Sequence, residues 1–193
     1  MSLDPIKLVQ QWFEEAILTE PSTPEAMSVA TVDPQTMRPS LRLVLLRGVD
    51  ESGFVFYTNT RSRKGREIEQ NSQVALALHW KSLGRQVRVE GVASMVSEVE
   101  ADKYFASRHR GSQIGAWASD QSATLENRKT LLNSIQKVEK KFKDKEVQRP
   151  VFWSGYRVKP QTIEFWEDRA DRLHVRNFYW LDGDVWSKKL LFP

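Results

Sequence analysis

The chain has 193 residues, 40% of them apolar and 28% charged, with a formal net charge of +4. That length and balance suit one domain with a sizeable core and exclude a disordered polymer. No cysteine is present, which excludes disulfides and thiolate chemistry, and no apolar run nears the roughly 18 residues a membrane-spanning helix needs.

The first predicted element is an N-terminal helix within residues 1–20. In "DPIKLVQQWFEEAILTE", Asp4 can cap it and Pro5 suits its first turn. Leu8, Val9, Trp12, Phe13, Ala16 and Ile17 recur at helical spacing. The opening "MSLDPIKLVQQW" lacks the basic-then-apolar order of a signal peptide, so a cytoplasmic location is expected.

The period then changes. "MSVATVD" (27–33), "SLRLVLLRGV" (40–49), "GFVFYTN" (53–59), "QVALALHW" (73–80) and "RQVRVEGVASMV" (85–96) are β-branched or aromatic runs separated by turn-forming stretches. Short connections favour antiparallel neighbours, hence a meander or barrel. Ser97 followed by Glu100 is a capping box that starts a helix over "SEVEADKYFASRHR" (97–110). A longer helix follows within 124–146, with Leu131, Leu132, Ile135, Val138 and Phe142 on one stripe and a solvated charged face. Past Pro150 the tail returns to strands: "TIEFWE", "RLHVRNFYWL" and "DVWSKKLLF", with "DGD" as a turn. The expected fold class is a β-rich α+β domain spanning 1–193, its helices flanking the sheet.

Several polar positions stand out. In "NTRSRKGREIEQN", Ser62 can cap a helix whose first turn holds Arg63 and Lys64, the wrong end for cations given the helix dipole. An anion bound at that helix start would explain them, and so would a solvated basic loop. Tyr104, Arg108 and Ser112 recur every four residues, which on one helix would stack a hydroxyl, a guanidinium and a hydroxyl suited to phosphate; half-buried packing and a solvated arginine are the plainer reading. Arg42 and Arg47 interrupt an apolar strand and differ in parity, so they should face opposite ways, with Asp50 and Glu51 as nearby partners. In "GRQVRVEG", Val87 and Val89 face the core while Gln86, Arg88 and Glu90 face away. Glu164 and Trp166 share a strand face, where the Trp could stack on a ligand or simply be core. If "RLHVR" is a strand, Arg172, His174 and Arg176 crowd one face and repel one another. The three histidines lie far apart, which argues against a metal site, and no nucleophile elbow is present.

Taken together, "RLVLLR", "FYTNTRSRK", "LGRQVRVEG", "SQIGAWASDQS", "FWSGYRVKPQTIEFW" and "RLHVR" resemble, in order, the signature segments of the pyridoxine (pyridoxamine) 5'-phosphate oxidase family, from about residue 26 to the C-terminus. The resemblance implies an FMN-binding split β-barrel acting as a homodimer with the flavin at the subunit interface, residues 153–193 completing the active site. It implies oxidation of pyridoxine 5'-phosphate or pyridoxamine 5'-phosphate to pyridoxal 5'-phosphate, with hydride passing from C4' to flavin N5 and O2 reduced to H2O2. The residues themselves give no sign of a nucleic-acid, membrane or metal partner. Carried over by position, the flavin site would draw on Arg42, Leu43, Val44, Leu45, Leu46 and Arg47, then Tyr57, Thr58, Arg63 and Lys64, then Gln86, Gln121, Ser122, Trp166 and Arg176. The substrate phosphate would meet Arg47, Tyr104, Arg108 and Ser112, and Arg172 and His174 would lie over the substrate ring near the reacting carbon.

The sequence departs from the family pattern at four positions. Arg47 stands where Lys is usual, His109 where Pro is, Val175 where Asp is common, and Leu190 where Arg is. The N-terminal extension is also short. An enzyme of the same fold with another substrate, such as a phenazine-pathway oxidase, is the alternative reading.

Overall fold

The computed structural model describes residues 4–193, so the first three positions of the expected N-terminal helix lie outside the described residues. Helix α1 (Pro5–Thr19) starts as read: Asp4 Oδ1 accepts from the Ile6 amide at 3.0 Å. Val9, Trp12 and Ala16 bury its inner face, while Ile17 runs past the core and is exposed.

The strands are β1 (Ala26–Val32), β2 (Pro39–Leu45), β3 (Gly48–Asp50), β4 (Gly53–Asn59), β5 (Gln73–Trp80), β6 (Arg85–Met95), β7 (Trp153–Glu167), β8 (Val175–Asp182) and β9 (Val185–Leu191). They form one curled antiparallel sheet in the order β2-β1-β5-β6-β7-β4-β3, with β8 on β7 and β9 on β8. Strand β7 makes the curl. One of its edges pairs with β6 over 156–167; the other pairs first with β4, over 153–158, and then with β8, over 162–167. A register shift between Glu90 and Gly91 marks the bend. Only glycine fits there, because a Cβ on Gly91 would sit 2.3 Å from the Lys159 carbonyl oxygen.

The alternation read from sequence sets the core. Val87 and Val89 point inward with Met27, Leu78, Phe54, Phe56 and Phe165, each such burial contributing roughly 1.5–3 kcal/mol. A second cluster joins Phe105, Ile114, Phe142, Val147 and Trp153 beneath α3 (Glu98–Ser107), α4 (Arg110–Ala118) and α5 (Arg128–Lys141). On α5, Ile135 and Val138 pack against that cluster, while Leu132 is exposed.

Three expectations are corrected. The 40–49 run is two strands, β2 and β3, with a turn at Leu46 and Arg47, so the parity argument fails beyond Leu45. The 97–110 helix ends at Ser107, because Arg108 takes extended angles (φ −74°, ψ 148°) and α4 begins at Arg110; Tyr104, Arg108 and Ser112 therefore do not share one helix. "RLHVR" is strand only from Val175. Residues Ala170–Arg172 form a single 3-10 turn, with Asp171 and Arg172 in left-handed conformations (φ 57° and 61°), so Arg172 and His174 leave the alternation of β8.

Candidate active site

The tight passage from β4 into α2 (Arg63–Gln70) builds the first part of the site. Ser62 Oγ accepts from the Gly65 amide at 3.3 Å, and Gly65 is required because a Cβ would lie 2.0 Å from the Thr60 carbonyl oxygen. The two cations at this helix start part company. Arg63 turns outward to Glu67 one turn on, Nε to Oε1 2.8 Å. Lys64 folds inward and is buried, its Nζ donating to Thr58 Oγ1 at 2.9 Å, Ser62 Oγ at 3.1 Å and Gln121 Oε1 at 2.9 Å. Those partners are neutral, and no carboxylate lies within ion-pair distance of Lys64 among the described residues. Burial, then the charge of Arg42, pushes its pKa down from 10.5 to about 8.

Lys64 opens into a cavity of about 670 Å³, within the usual range for a small-molecule site. One wall is β2 and the turn after it: Arg42, Leu43, Val44, Leu45 and Arg47. The floor is Tyr57, Thr58, Asn59 and Trp153, and the far wall is Tyr104, Arg108, Ser112, Gly115, Ala116, Ser119 and Gln121. The break between α3 and α4 therefore brings Tyr104, Arg108 and Ser112 to one cavity by a route other than helical spacing. Arg42 and Arg47 line it too, and their partners are Glu67 (3.4 Å) and Glu25 (3.6 Å) rather than Asp50 and Glu51.

The far wall holds the least satisfied cation. Arg108 lies over the Trp153 ring, 4.6 Å from its centroid, and its Nη1 is buried with no hydrogen-bond partner. Tyr57 stacks on Tyr104 at 3.9 Å and on Trp153 at 5.5 Å, giving a cluster of nearly parallel aromatic rings beside the cavity. Burial, then the neighbouring Glu100 carboxylate that accepts from its hydroxyl, raises Tyr57 to about 12, so it stays a neutral phenol.

Behind β2 lies a carboxylate that the motif reading passed over, although its i,i+4 spacing from Arg63 was visible. Glu67 accepts from Thr31 Oγ1, from Ser40 Oγ at 2.6 Å and from Arg63, while Arg42 donates to Thr31, Ser40 and Glu67. Burial alone would raise Glu67, but the bonds from Ser40, Thr31 and Arg63 outweigh it and hold the carboxyl at about 2.

The remaining expected residues lie elsewhere. Leu46 is core. Ser122 is exposed with φ 74°. Gln86 and Trp166 line a second groove of about 480 Å³ with Ala26, Ser28, Ala77 and His79, and Leu43 borders both hollows. The register sets Gln86 beside Trp166 and Trp166 beside Arg176. His174 leans on Trp166 (centroids 4.5 Å) with Nδ1 3.1 Å from Asp168 Oδ1, and Arg172 is exposed on the adjoining turn. The described residues contain no cluster of three or more metal-ligating side chains, and no helix among them is long and apolar enough to cross a membrane.

Comparison with known proteins adds to this geometry. A family model described as "Pyridoxamine 5'-phosphate oxidase" matches residues 13–142, and one described as "Pyridoxine 5'-phosphate oxidase C-terminal dimerisation region" matches 153–193. A Gluconobacter oxydans protein named pyridoxine/pyridoxamine 5'-phosphate oxidase is 51% identical over 193 residues, covering 100% of this chain and 96% of that protein. One of the same name from Rubrobacter xylanophilus is 52% identical over 190 residues, covering 98% and 87%. Among solved structures, PhzG from Burkholderia lata, in complex with tetrahydrophenazine-1-carboxylic acid, matches with a TM-score of 0.92 at 31% identity, covering 100% of this chain and 94% of that one. A pyridoxamine 5'-phosphate oxidase-related, FMN binding protein from Nostoc punctiforme shares the fold, with a TM-score of 0.77 at 16% identity and coverage of 97% and 96%.

Proposed function

The chain belongs to the pyridoxamine 5'-phosphate oxidase family, and from that premise we propose that it oxidises pyridoxine 5'-phosphate or pyridoxamine 5'-phosphate to pyridoxal 5'-phosphate with FMN as cofactor. The observation that carries this is a pair of cations, Lys64 buried and Arg108 with a buried, unpartnered Nη1, facing one cavity without carboxylate partners. Burying such groups is costly unless an anion completes them. Two such cations in one cavity suit two phosphates.

Lys64, with Gln121 and Thr58, would hold the FMN phosphate. Arg108, with Arg47, Tyr104 and Ser112, would hold the substrate phosphate, and the aromatic side chains among the cavity's lining residues suit a planar ring. When bound, FMN would supply the redox chemistry, as a two-electron acceptor for the substrate's C4' hydride that O2 reoxidises to give H2O2. The protein's own work is alignment and charge. Arg172 orients the substrate and offsets its charge, and His174 lies over the ring beside it.

Gln86, Trp166, Arg172, His174 and Arg176 lie outside the cavity of their own chain. A homodimer accounts for them: a second copy would bring this group to the cavity's open side. The β2 edge of the sheet, which exposes Leu41, Leu43 and Leu45 beside that cavity, suits such a contact, as does the dimerisation region matched at 153–193. We place the enzyme in the cytoplasm, where its phosphorylated substrates would be.

The second reading, a same-fold oxidase of a phenazine-type substrate, has the PhzG likeness in its favour. The phosphate-suited group on the far wall favours the vitamin phosphate. The test is an aerobic assay for pyridoxal 5'-phosphate and peroxide with each substrate, paired with anaerobic bleaching of the bound flavin by pyridoxine 5'-phosphate. Product and bleaching are expected. An intact flavin spectrum that this substrate does not bleach would reject it.

A further inference from the structure

Arg88, Arg176 and the buried glutamate between them form a junction whose carboxylate the site described above does not use. Glu164 on β7 is 6% exposed and inward of two arginines. Arg88 stands directly across from it on β6, and Arg176 lies one diagonal step away on β8, because Glu164 pairs with Phe178. Arg176 Nε donates to Glu164 Oε1 at 2.7 Å, and its Nη2 to Oε2 at 3.1 Å. Arg88 Nη1 donates to the same Oε2 at 3.2 Å. The third nitrogen of Arg176, Nη1, donates to the Phe192 carbonyl at 2.9 Å, so the C-terminal end closes the clamp. This is a bidentate carboxylate–guanidinium pair with both partners fixed. Each Nη of Arg176 keeps one further N–H for a ligand.

We infer that Glu164 is a positioning residue for the flavin site: it fixes the guanidinium of Arg176 in one orientation and offsets the Arg88–Arg176 repulsion, so that the free N–H groups of Arg176 meet the flavin preset. This rests on the assignment of Arg176 to the flavin site made above. The clamp also answers the crowding in "RLHVR". The carboxylate that balances Arg176 comes from the neighbouring strand, not from position 175, where this chain has Val.

The test is a double-mutant cycle on the holoenzyme, reading FMN dissociation on dilution from the recovery of free-flavin fluorescence. R176A tests the underlying assignment, and retention of FMN as in the wild type would remove the ground for both. Given weakened binding in R176A, E164Q is expected to raise the FMN dissociation constant about tenfold, a loss of one well-oriented charged contact. In the R176A background E164Q should add nothing, and E164D should recover part of the loss. If E164Q leaves FMN affinity unchanged, or weakens it equally with and without Arg176, the inference is overturned. Should E164Q not fold, E164Q/R88Q, which removes a cation together with the carboxylate, enters the same cycle.

Discussion

The Lys64 ammonium lies 2.9 Å from the Gln121 carbonyl oxygen, 57 residues further along the chain, and the same oxygen accepts from Thr58 at 3.2 Å. Lys64 is thus pinned by neutral acceptors and made easier to deprotonate by burial and Arg42, with a pKa of about 8. K64A is expected to weaken FMN retention by about ten- to a hundredfold, since it removes a buried charge-assisted contact to phosphate. The pH dependence has a definite sign. Above about pH 8 the free protein increasingly holds Lys64 neutral, whereas a phosphate dianion favours the charged form, so binding must take up a proton and affinity falls as pH rises. Fluorescence titration from pH 7 to 9.5 should show it, and K64R, whose guanidinium stays charged, should flatten the curve. A wild-type curve already flat to pH 9.5 would count against this role.

Arg108 is fixed over Trp153 with Nη1 buried and open. R108A should leave the flavin spectrum and FMN affinity unchanged while raising KM for the phosphorylated substrate by about ten- to a hundredfold, the range for a lost hydrogen bond to a charged group. An unphosphorylated substrate analogue should feel the change little. Equal losses for both would mean that Arg108 does not meet the phosphate.

Arg172 occupies an exposed left-handed position just before β8, outside the cavity of its own chain. R172A is expected to purify yellow with full FMN content yet lose most turnover, by about a hundredfold or more in kcat/KM, because an orienting charge next to the reacting carbon contributes several kcal/mol. Normal turnover would detach this turn from the substrate.

Glu67 ties α2 to β1 and β2 through Thr31, Ser40, Arg42 and Arg63. E67Q should cost about 2–3 kcal/mol at pH 7, since it leaves the largely covered Arg42 guanidinium and the Thr31 and Ser40 hydroxyls underpaired. The carboxyl's folded pKa of about 2 lies below its ordinary 4.5. Its stabilisation is therefore complete above about pH 4.5 and lost as pH falls towards 2. Urea melts of both proteins should converge over that interval. A gap that persists undiminished at pH 3 would refute the linkage.

Local signals carried most of the fold. Asp4 before Pro5, Ser62 before Arg63, and Ser97 three residues before Glu100 each accept the hydrogen bond that their position implies, because caps are satisfied within a turn. The alternation of Val87 and Val89 also fixed a face correctly, since a two-residue period survives any tertiary arrangement. Arg42 and Arg47 escaped such reasoning: a turn at Leu46 resets parity, and nothing in "LVLLRGV" marks it. Tyr104, Arg108 and Ser112 were grouped by a spacing the chain does not use, and they meet because α3 stops at Ser107. The left-handed Asp171 and Arg172 are non-glycine residues, so no composition cue announced them. The ion pair of Glu67 with Arg42 depends on how α2 packs against β2, and those of Glu164 with Arg88 and Arg176 on strand register, both set by distant pairings.

Val175 bears on that register directly. It pairs with Glu167 on β7, and Glu167 is itself 3.2 Å from Arg169. Where the family commonly has Asp, an Asp here would set two carboxylates face to face, a cross-strand arrangement that costs roughly 0.2–1 kcal/mol. It would have little to offset, since Glu164 already neutralises Arg176. V175D is therefore expected to lower Tm by about 1–4 °C at fixed protein concentration and pH 7. E167Q should cost little alone and should cancel most of the loss when combined with V175D. If V175D melts at or above the wild type, valine at this position is not a response to Glu167, and the balance of charge around the "RLHVR" turn must be drawn differently.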